Sequence, residues 1–182
     1  RKLKSIEMNL SEPIFTGIAA AFVVGVLALL TFESPYGVWL MFSFGSTALI
    51  LFVFHDSEFA RAKNIFFGHL ISIIIGISFN QFLGISFISL GLSVGLCVTI
   101  MMYLKIVHPP AAANPLIALF ADVSYDFILF PVMSGSVVLI VLGYLINTFI
   151  LGRKVALKKS NLKARSKSLK LKRKKTKKNR EA

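Results

Sequence analysis

Between Lys105 and Pro115 the chain reads Lys-Ile-Val-His-Pro-Pro-Ala-Ala-Ala-Asn-Pro, the densest set of chemistry-bearing residues in the sequence. Two prolines followed by three alanines form a rigid entry into a new helix, where a missing proline N–H costs little. The free N–H groups of such a first turn suit an anion. Ala111 and Ala113 let a backbone or a small ligand come close. His108 adds a ring, and Asn114 adds an amide while standing before a proline that can break the helix again. A tight helical hairpin with His108 capping a turn accounts for the same residues without a ligand. A polar kink inside apolar sequence weighs toward function.

Other polar residues fit a path for a small anion. Ser46 and Thr47 offer hydroxyls, although hydroxyls in such helices often bond their own backbone, Ser46 above all. His69, one turn into a helix, is a candidate proton carrier, since an unperturbed imidazole titrates near about 6.5. An interhelical hydrogen bond is the plainer role for it. Asn64, Lys63 and Lys105 complete the gating candidates, with Lys63 able to draw anions to a mouth. No paired-carboxylate core, Ser–His–Asp set, Walker loop or HExxH spacing is present, so no enzyme and no cofactor or metal is expected. Cys97 is the one cysteine, which excludes an internal disulfide or a thiol cluster.

The elements that must hold these residues are apolar. The chain has 182 residues, 55% of them hydrophobic, and a mean hydropathy of +0.75. A helix needs about 20 apolar residues to cross a bilayer core. Pro13–Phe32, Tyr36–Phe54, Ile65–Leu83, Ile85–Tyr103 and Ile128–Leu151 qualify, whereas Ala111–Ala121 is short and would cross as a broken or tilted segment. Strands are excluded by the lack of alternation. Pro131 is expected in the first turn of the last helix. Tyr36 and Trp39 suit an interfacial belt.

Charge orients the bundle. Fifteen of the 21 Lys and Arg lie between Arg153 and Arg180, and residues 1–152 carry a net charge of about −1. The +13 therefore belongs to the tail. Having no aromatic residue to stack on bases, this tail reads as disordered and as a stop-transfer anchor on anionic lipid, not as a nucleic-acid binder. With the tail in the cytoplasm and six crossings, Arg1, Lys2, Lys4, Arg61, Lys63 and Lys105 share its side, and Glu33, Asp122 and Asp126 face out. Four crossings also keep the ends together but distribute the acids less cleanly.

A shift of 67 residues lays Ser46–Ile50 on Ala113–Ile117, Gly68 on Gly135, Gly76 on Gly143 and Asn64 on Pro131. Three segments per unit would insert the second unit upside down. Inverted repeats recur in transporters whose site lies at mid-membrane, between interrupted helices.

His108 to Pro115 resembles the HPPAGANP signature of the HPP family of integral membrane proteins. Phe44-Gly45-Ser46-Thr47-Ala48 is similar to the family's FGAT/FGAS segment. Ser57 to His69 is similar to its SPLAQPRNxxGGH segment at Ser57, Ala60, Asn64, Gly68 and His69, with Lys63 for Arg, Phe67 for a glycine, Ala62 for a proline, and Ala112 for the signature's glycine. The likeness covers residues 13–151. It implies four spanning helices, and a link to nitrite transport known for some plant chloroplast and cyanobacterial members.

The expectation is an all-α polytopic membrane helix bundle of two three-segment inverted repeats. It divides into a cytoplasmic segment 1–12, a membrane domain 13–152 and a disordered basic cytoplasmic tail 153–182, set in the inner (cytoplasmic) membrane. Its expected role is to carry or conduct a small anion, with nitrite as the candidate, between segments 44–48 and 108–115. The alternative is a non-transporting membrane scaffold, dimeric through glycine faces.

Overall fold

In the computed structural model, residues 11–35 and 37–153 are described. The basic tail, the first ten residues and Tyr36 lie outside them, so the expectations placed there have no structural counterpart. The described chain is helical: α1 (Ser11–Glu33), α2 (Ser43–Val53), α3 (Ala62–Leu83), α4 (Phe87–Tyr103), α5 (Asn114–Phe120) and α6 (Ser134–Leu145), with no strand among the described residues. A 3-10 turn, Pro109–Ala113, leads into α5. The apolar run Ile128–Ile150 forms a rod that kinks at Phe130 before α6 and ends in a π-helical turn after it. α1, α3 and this rod are long and apolar enough to cross a membrane. α4, at 17 residues, rises about 25 Å, close to the span of a bilayer core.

The two remaining segments are broken. Tyr36–Phe54 was expected as a helix, but only Ser43–Val53 is helical, a rise of about 16 Å. The preceding stretch is held by the Thr31 hydroxyl, which accepts from Trp39 N and Leu40 N at 3.0 Å each. Gly37 (φ 101°) lies in that stretch. Its counterpart combines residues 105–108, the 3-10 turn and seven-residue α5. Asn114 opens α5 instead of breaking it, and Pro115 fills an early position where no N–H is needed. In the last segment the backbone leaves helical geometry at Phe130 (φ −128°, ψ 115°), so Pro131 stands at an interruption and regular helix begins only at Ser134.

Hydrogen bonds between segment ends define two faces. On one, Arg153 joins the start of α1 to the end of α2. Its guanidinium donates to Phe52 O (2.8 Å), Thr16 Oγ1 (2.9 Å) and Glu12 Oε1 (3.0 Å). On the other, Asn80 Nδ2 donates to Asp122 Oδ1 (2.6 Å) and Tyr125 Oη to Gln81 Oε1 (2.8 Å). Asn64 Nδ2 donates to Val107 O (3.1 Å) near the Arg153 face, so residues 107–122 run alongside α3 from that face to the Asp122 face. Six segments thus traverse the bundle. Three of them, α1, α3 and the final rod, are long and apolar enough to cross a membrane, α4 is a shorter apolar helix, and two are broken.

The 67-residue shift is a spatial symmetry. A Cβ on Gly68 would meet Ile106 O and Ala111, and one on Gly135 would meet Trp39 O and the Phe44 ring. A Cβ on Gly76 would meet Ala118, and one on Gly143 would meet Leu51. Adding 67 to 39, 44 and 51 gives 106, 111 and 118. Each repeat's third helix therefore packs on the broken segment of the other repeat. α1 packs on α2 and α6, as α4 packs on α5 and α3. The repeats enter from opposite faces, so they are inverted.

Small residues permit this approach, as they do wherever membrane helices touch closely. Gly76 is the tightest case: an added Cβ would lie 2.6 Å from Pro115 Cα and 2.7 Å from Ala118 Cβ. Backbone cannot yield there as a side chain would. Gly76→Ala is expected to destabilise the fold by about 1–3 kcal/mol. Gly17→Ala, with nothing within 4 Å, should stay within about 0.5 kcal/mol of the parent. Thermal unfolding of the detergent-solubilised chain checks both.

Candidate functional site

Where the broken segments meet, polar side chains are buried together. Ser43, Thr47, Asn64, His69, Ser72, His108 and Asn114 are all at most 4% exposed. Ser43 is the first residue of α2 and Asn114 the first of α5. Their side chains bond directly, Ser43 Oγ donating to Asn114 Oδ1 at 2.8 Å. Helix starts leave unpaired backbone donors, and apolar surroundings make unpaired groups costly. No side chain caps either helix start: at α2 the first donors turn back to Met41 O and Phe42 O, and the buried polar side chains satisfy one another.

Thr47 is the hub. Its Oγ1 lies 2.9 Å from His69 Nε2 and 2.9 Å from His108 Nε2. The imidazoles stand edge to face with centroids 4.9 Å apart, and Phe44 closes on His69 at 5.2 Å. Partners at the far ring atoms fix the neutral tautomers. His108 Nδ1 sits 2.9 Å from Phe59 O, which can only accept, so Nδ1 carries the hydrogen and Nε2 accepts from Thr47. His69 Nδ1 sits 3.0 Å from Asn114 Nδ2, which can only donate, so His69 Nε2 carries the hydrogen and donates to Thr47. The amide is oriented by its other contacts, since one Nδ2 hydrogen goes to Ser72 Oγ (2.9 Å) and the other is shared between His69 Nδ1 and His69 O (3.2 Å).

These bonds form one polarised chain: Asn114 to His69, His69 to Thr47, Thr47 to His108, and His108 to Phe59 O. It begins beside Ser72, midway along α3, and ends at the loop before α3 on the Arg153 face. Each link is neutral and each hydroxyl or ring can both give and take a hydrogen. Such an arrangement can bind a small polar solute or pass a proton along its length.

The sequence candidates divide into groups. His108, Asn114, Thr47 and His69 meet in the chain. Asn64 stands at its mouth, donating to Glu58 O (3.0 Å) and Val107 O. Ala111 is buried against the Gly68 contact. Ser46 is outside the chain, its hydroxyl bonded to Ser43 O at 2.9 Å. With Ala113, it lines an open groove of about 640 Å³ between α2 and α5. Phe42 (93% exposed) and Phe120 (68%) rim that groove, which therefore opens sideways out of the bundle. Lys63 is exposed on the first turn of α3, and Lys105 is exposed in a left-handed turn (φ 56°). Neither is among the hydrogen-bonded groups of the chain. His108 occupies the position before the 3-10 turn but makes no side-chain cap. Trp39, expected in an interfacial belt, packs inward on Phe130 with centroids 5.1 Å apart.

Two members escaped the sequence reading. Ser72 is three residues after His69 and Ser43 four before Thr47, spacings that share a helix face. That periodicity was the available signal. Among the described residues no group of three or more His, Cys, Asp and Glu side chains is placed to hold a metal ion.

Comparison with known proteins places this architecture. A family model described as HPP, transmembrane region, matches residues 5–156. Two transmembrane proteins of Dictyostelium discoideum are each 26% identical, one over 160 residues (82% of this chain, 51% of that protein) and one over 152 residues (78% and 53%). The chain thus spans about half the length of these curated relatives. No solved structure matches it.

Thr47 gives the clearest mutational handle. Thr47→Val keeps the shape but removes the hydroxyl that both imidazoles share, and should cost about 1–3 kcal/mol. Thr47→Ser should cost less, because the hydroxyl is kept. Thermal unfolding in detergent distinguishes the two.

Proposed function

The chain belongs to the HPP family of membrane proteins, and on that premise we propose that it moves a small anion across the membrane, with nitrite the first candidate. The observation that carries this reading is the buried polar chain at the meeting point of two broken segments, at the depth where α3 has its midpoint. Ionisable and amide side chains inside apolar bundles mark solute or proton pathways. Inverted repeats that meet at interrupted helices are how many secondary transporters build a central site.

Asn114, Thr47, His69 and Ser43 supply neutral donors, which suit an anion of single charge. Opening the α2–α5 junction would exchange their mutual bonds for bonds to the solute. The polarised run through His69 and His108 would let a proton travel with it toward the Arg153 face. On this reading that face lies in the cytoplasm of the inner membrane, a side supported by the run of basic residues that follows Arg153 in the sequence. The tail itself would rest on anionic lipid.

A second reading has its own support. Every bond in the chain is already satisfied within the protein, and exposed small-residue positions at Gly17, Ala21 and Gly25, and at Gly91 and Gly95, offer faces for another copy. A dimeric scaffold that transports nothing would have these features.

Nitrite uptake into proteoliposomes separates the two. Asn114→Leu and His108→Ala should each lower uptake at least about tenfold, the effect of losing roughly one charge-assisted bond to the solute. Thermal unfolding alongside shows whether the variants remain folded. Parental uptake that folded variants retain in full would remove Asn114 and His108 from the path, and no parental uptake of any small anion would establish the scaffold instead.

A further inference from the structure

Thr47 Oγ1 has three partners within hydrogen-bond reach and one hydrogen to give. His69 Nε2 and His108 Nε2 each lie 2.9 Å away, and Ser43 O lies 3.1 Å away. In the neutral network the hydrogen goes to His108 Nε2 and leaves Ser43 O to other donors, among them Ser46 Oγ at 2.9 Å. Turned to Ser43 O, the same hydrogen would free the Thr47 oxygen to accept from both rings. The hydroxyl thus has two settings, which differ in whether His108 Nε2 accepts or donates.

We infer that His108, rather than His69, is the imidazole that takes up a proton, that Thr47 is the positioning residue that turns to receive it, and that a singly charged anion enters as its counter-ion. This deepens the proposed transport reading and rests on it. One N–H bond forms, at His108 Nε2, with a proton drawn from water on the side of the loop before α3. Thr47 keeps its own hydrogen and turns it to Ser43 O. The charged ring then donates to Thr47 Oγ1 and, as before, to Phe59 O at 2.9 Å, so none of its donors is stranded. His69 has no such second setting. A proton on its Nδ1 would meet Asn114 Nδ2, donor against donor at 3.0 Å. Reversing the amide would set its oxygen against His69 O, acceptor against acceptor at 3.2 Å. With the ring centroids 4.9 Å apart, the first charge also excludes a second.

The surroundings of His108 supply no counter-ion. α2, α5 and the Pro109–Ala113 turn carry no titratable group. α3 brings Lys63 and His69, and α4 brings Cys97 and Tyr103. The stretch before α3 brings His55, Asp56 and Glu58, whose carboxylate is paired with Arg61 at 3.1 Å, and Lys105 stands just ahead of His108 in the chain. Among the described residues no acid is buried. A buried charge without a partner is costly, so a proton on His108 and an anion at the Ser43–Asn114 junction stabilise each other. A dianion would leave one charge over, and a cation would add to the one present. The substrate class is therefore the anion of a monobasic acid, carried with one proton and no net charge.

The two rings can be told apart by their neutral tautomers, with the hydrogen on Nδ1 in His108 and on Nε2 in His69. Nitrogen NMR of the full chain in detergent, with isotope-labelled histidine and His55→Gln to remove the third ring, follows both as the pH is lowered in the presence of sodium nitrite. The expected result is that the Nδ1–H ring becomes doubly protonated while the Nε2–H ring does not change. Thr47→Val takes the acceptor away from the charged ring and should weaken proton uptake at least about fivefold, whereas Thr47→Ser should keep it within about twofold. Uptake by the Nε2–H ring, by both rings or by neither overturns the inference, as does a folded Thr47→Val that titrates like the parent. Nitrite flux into proteoliposomes, corrected for protein-free vesicles, is measured beside it and should not respond to an imposed membrane potential. Flux that follows the potential means that the anion travels alone, and overturns the pairing. Parental flux with no proton on His108 removes the proton site and leaves the transport reading intact. A proton on His108 without flux of any small anion removes the transport reading and leaves the proton site.

Discussion

An interrupted helix inside apolar surroundings leaves backbone donors and acceptors that no water can reach, and the rest of this structure answers that constraint. Non-helical backbone at membrane depth survives only where protein or a polar cavity covers it. Here the two interruptions cover each other. Ser43 and Asn114, the first residues of α2 and α5, bond across the junction. Thr47, His69 and Ser72 tie that junction to α3. His108 continues the bonding outward to the Phe59 carbonyl. The long helices serve as walls, and their glycines let the broken segments come close enough for the bonds to form.

Much of this was legible before any coordinates. Apolar run length placed α1, α3, α4 and the final rod within a few residues, because lipid imposes a length on any helix that crosses it. The 67-residue shift was legible from the glycine register, since only glycine accepts the backbone contacts that Gly76 and Gly135 make. His108, Asn114, Thr47 and His69 stood out as polar residues in apolar sequence.

What composition could not convey was where an apolar run ceases to be helix. Residues 37–42 are as hydrophobic as those of α2, yet they are drawn off the helical path where Thr31 binds Trp39 and Leu40. Nothing local announces a hydroxyl eight positions earlier. The same holds for Ser46 and Thr47: they are sequence neighbours, and about 100° of helical rotation sends one to the side groove and the other to the centre. The direction of Trp39 was hidden for a similar reason, because its partner Phe130 is 91 positions away.

The exchange of contacts between repeats has a mechanical corollary. Gly76 and Gly68 fasten α3 to the second broken segment, while Gly135 and Gly143 fasten the final helix to the first. Any rearrangement that respects those seams moves each long helix together with a strip of the opposite repeat. The rigid blocks of the molecule are therefore hybrids of its two halves, and the slip plane between them passes through Ser43, Thr47 and Asn114, where hydrogen bonds can be traded one at a time without tearing apart a tightly fitted surface.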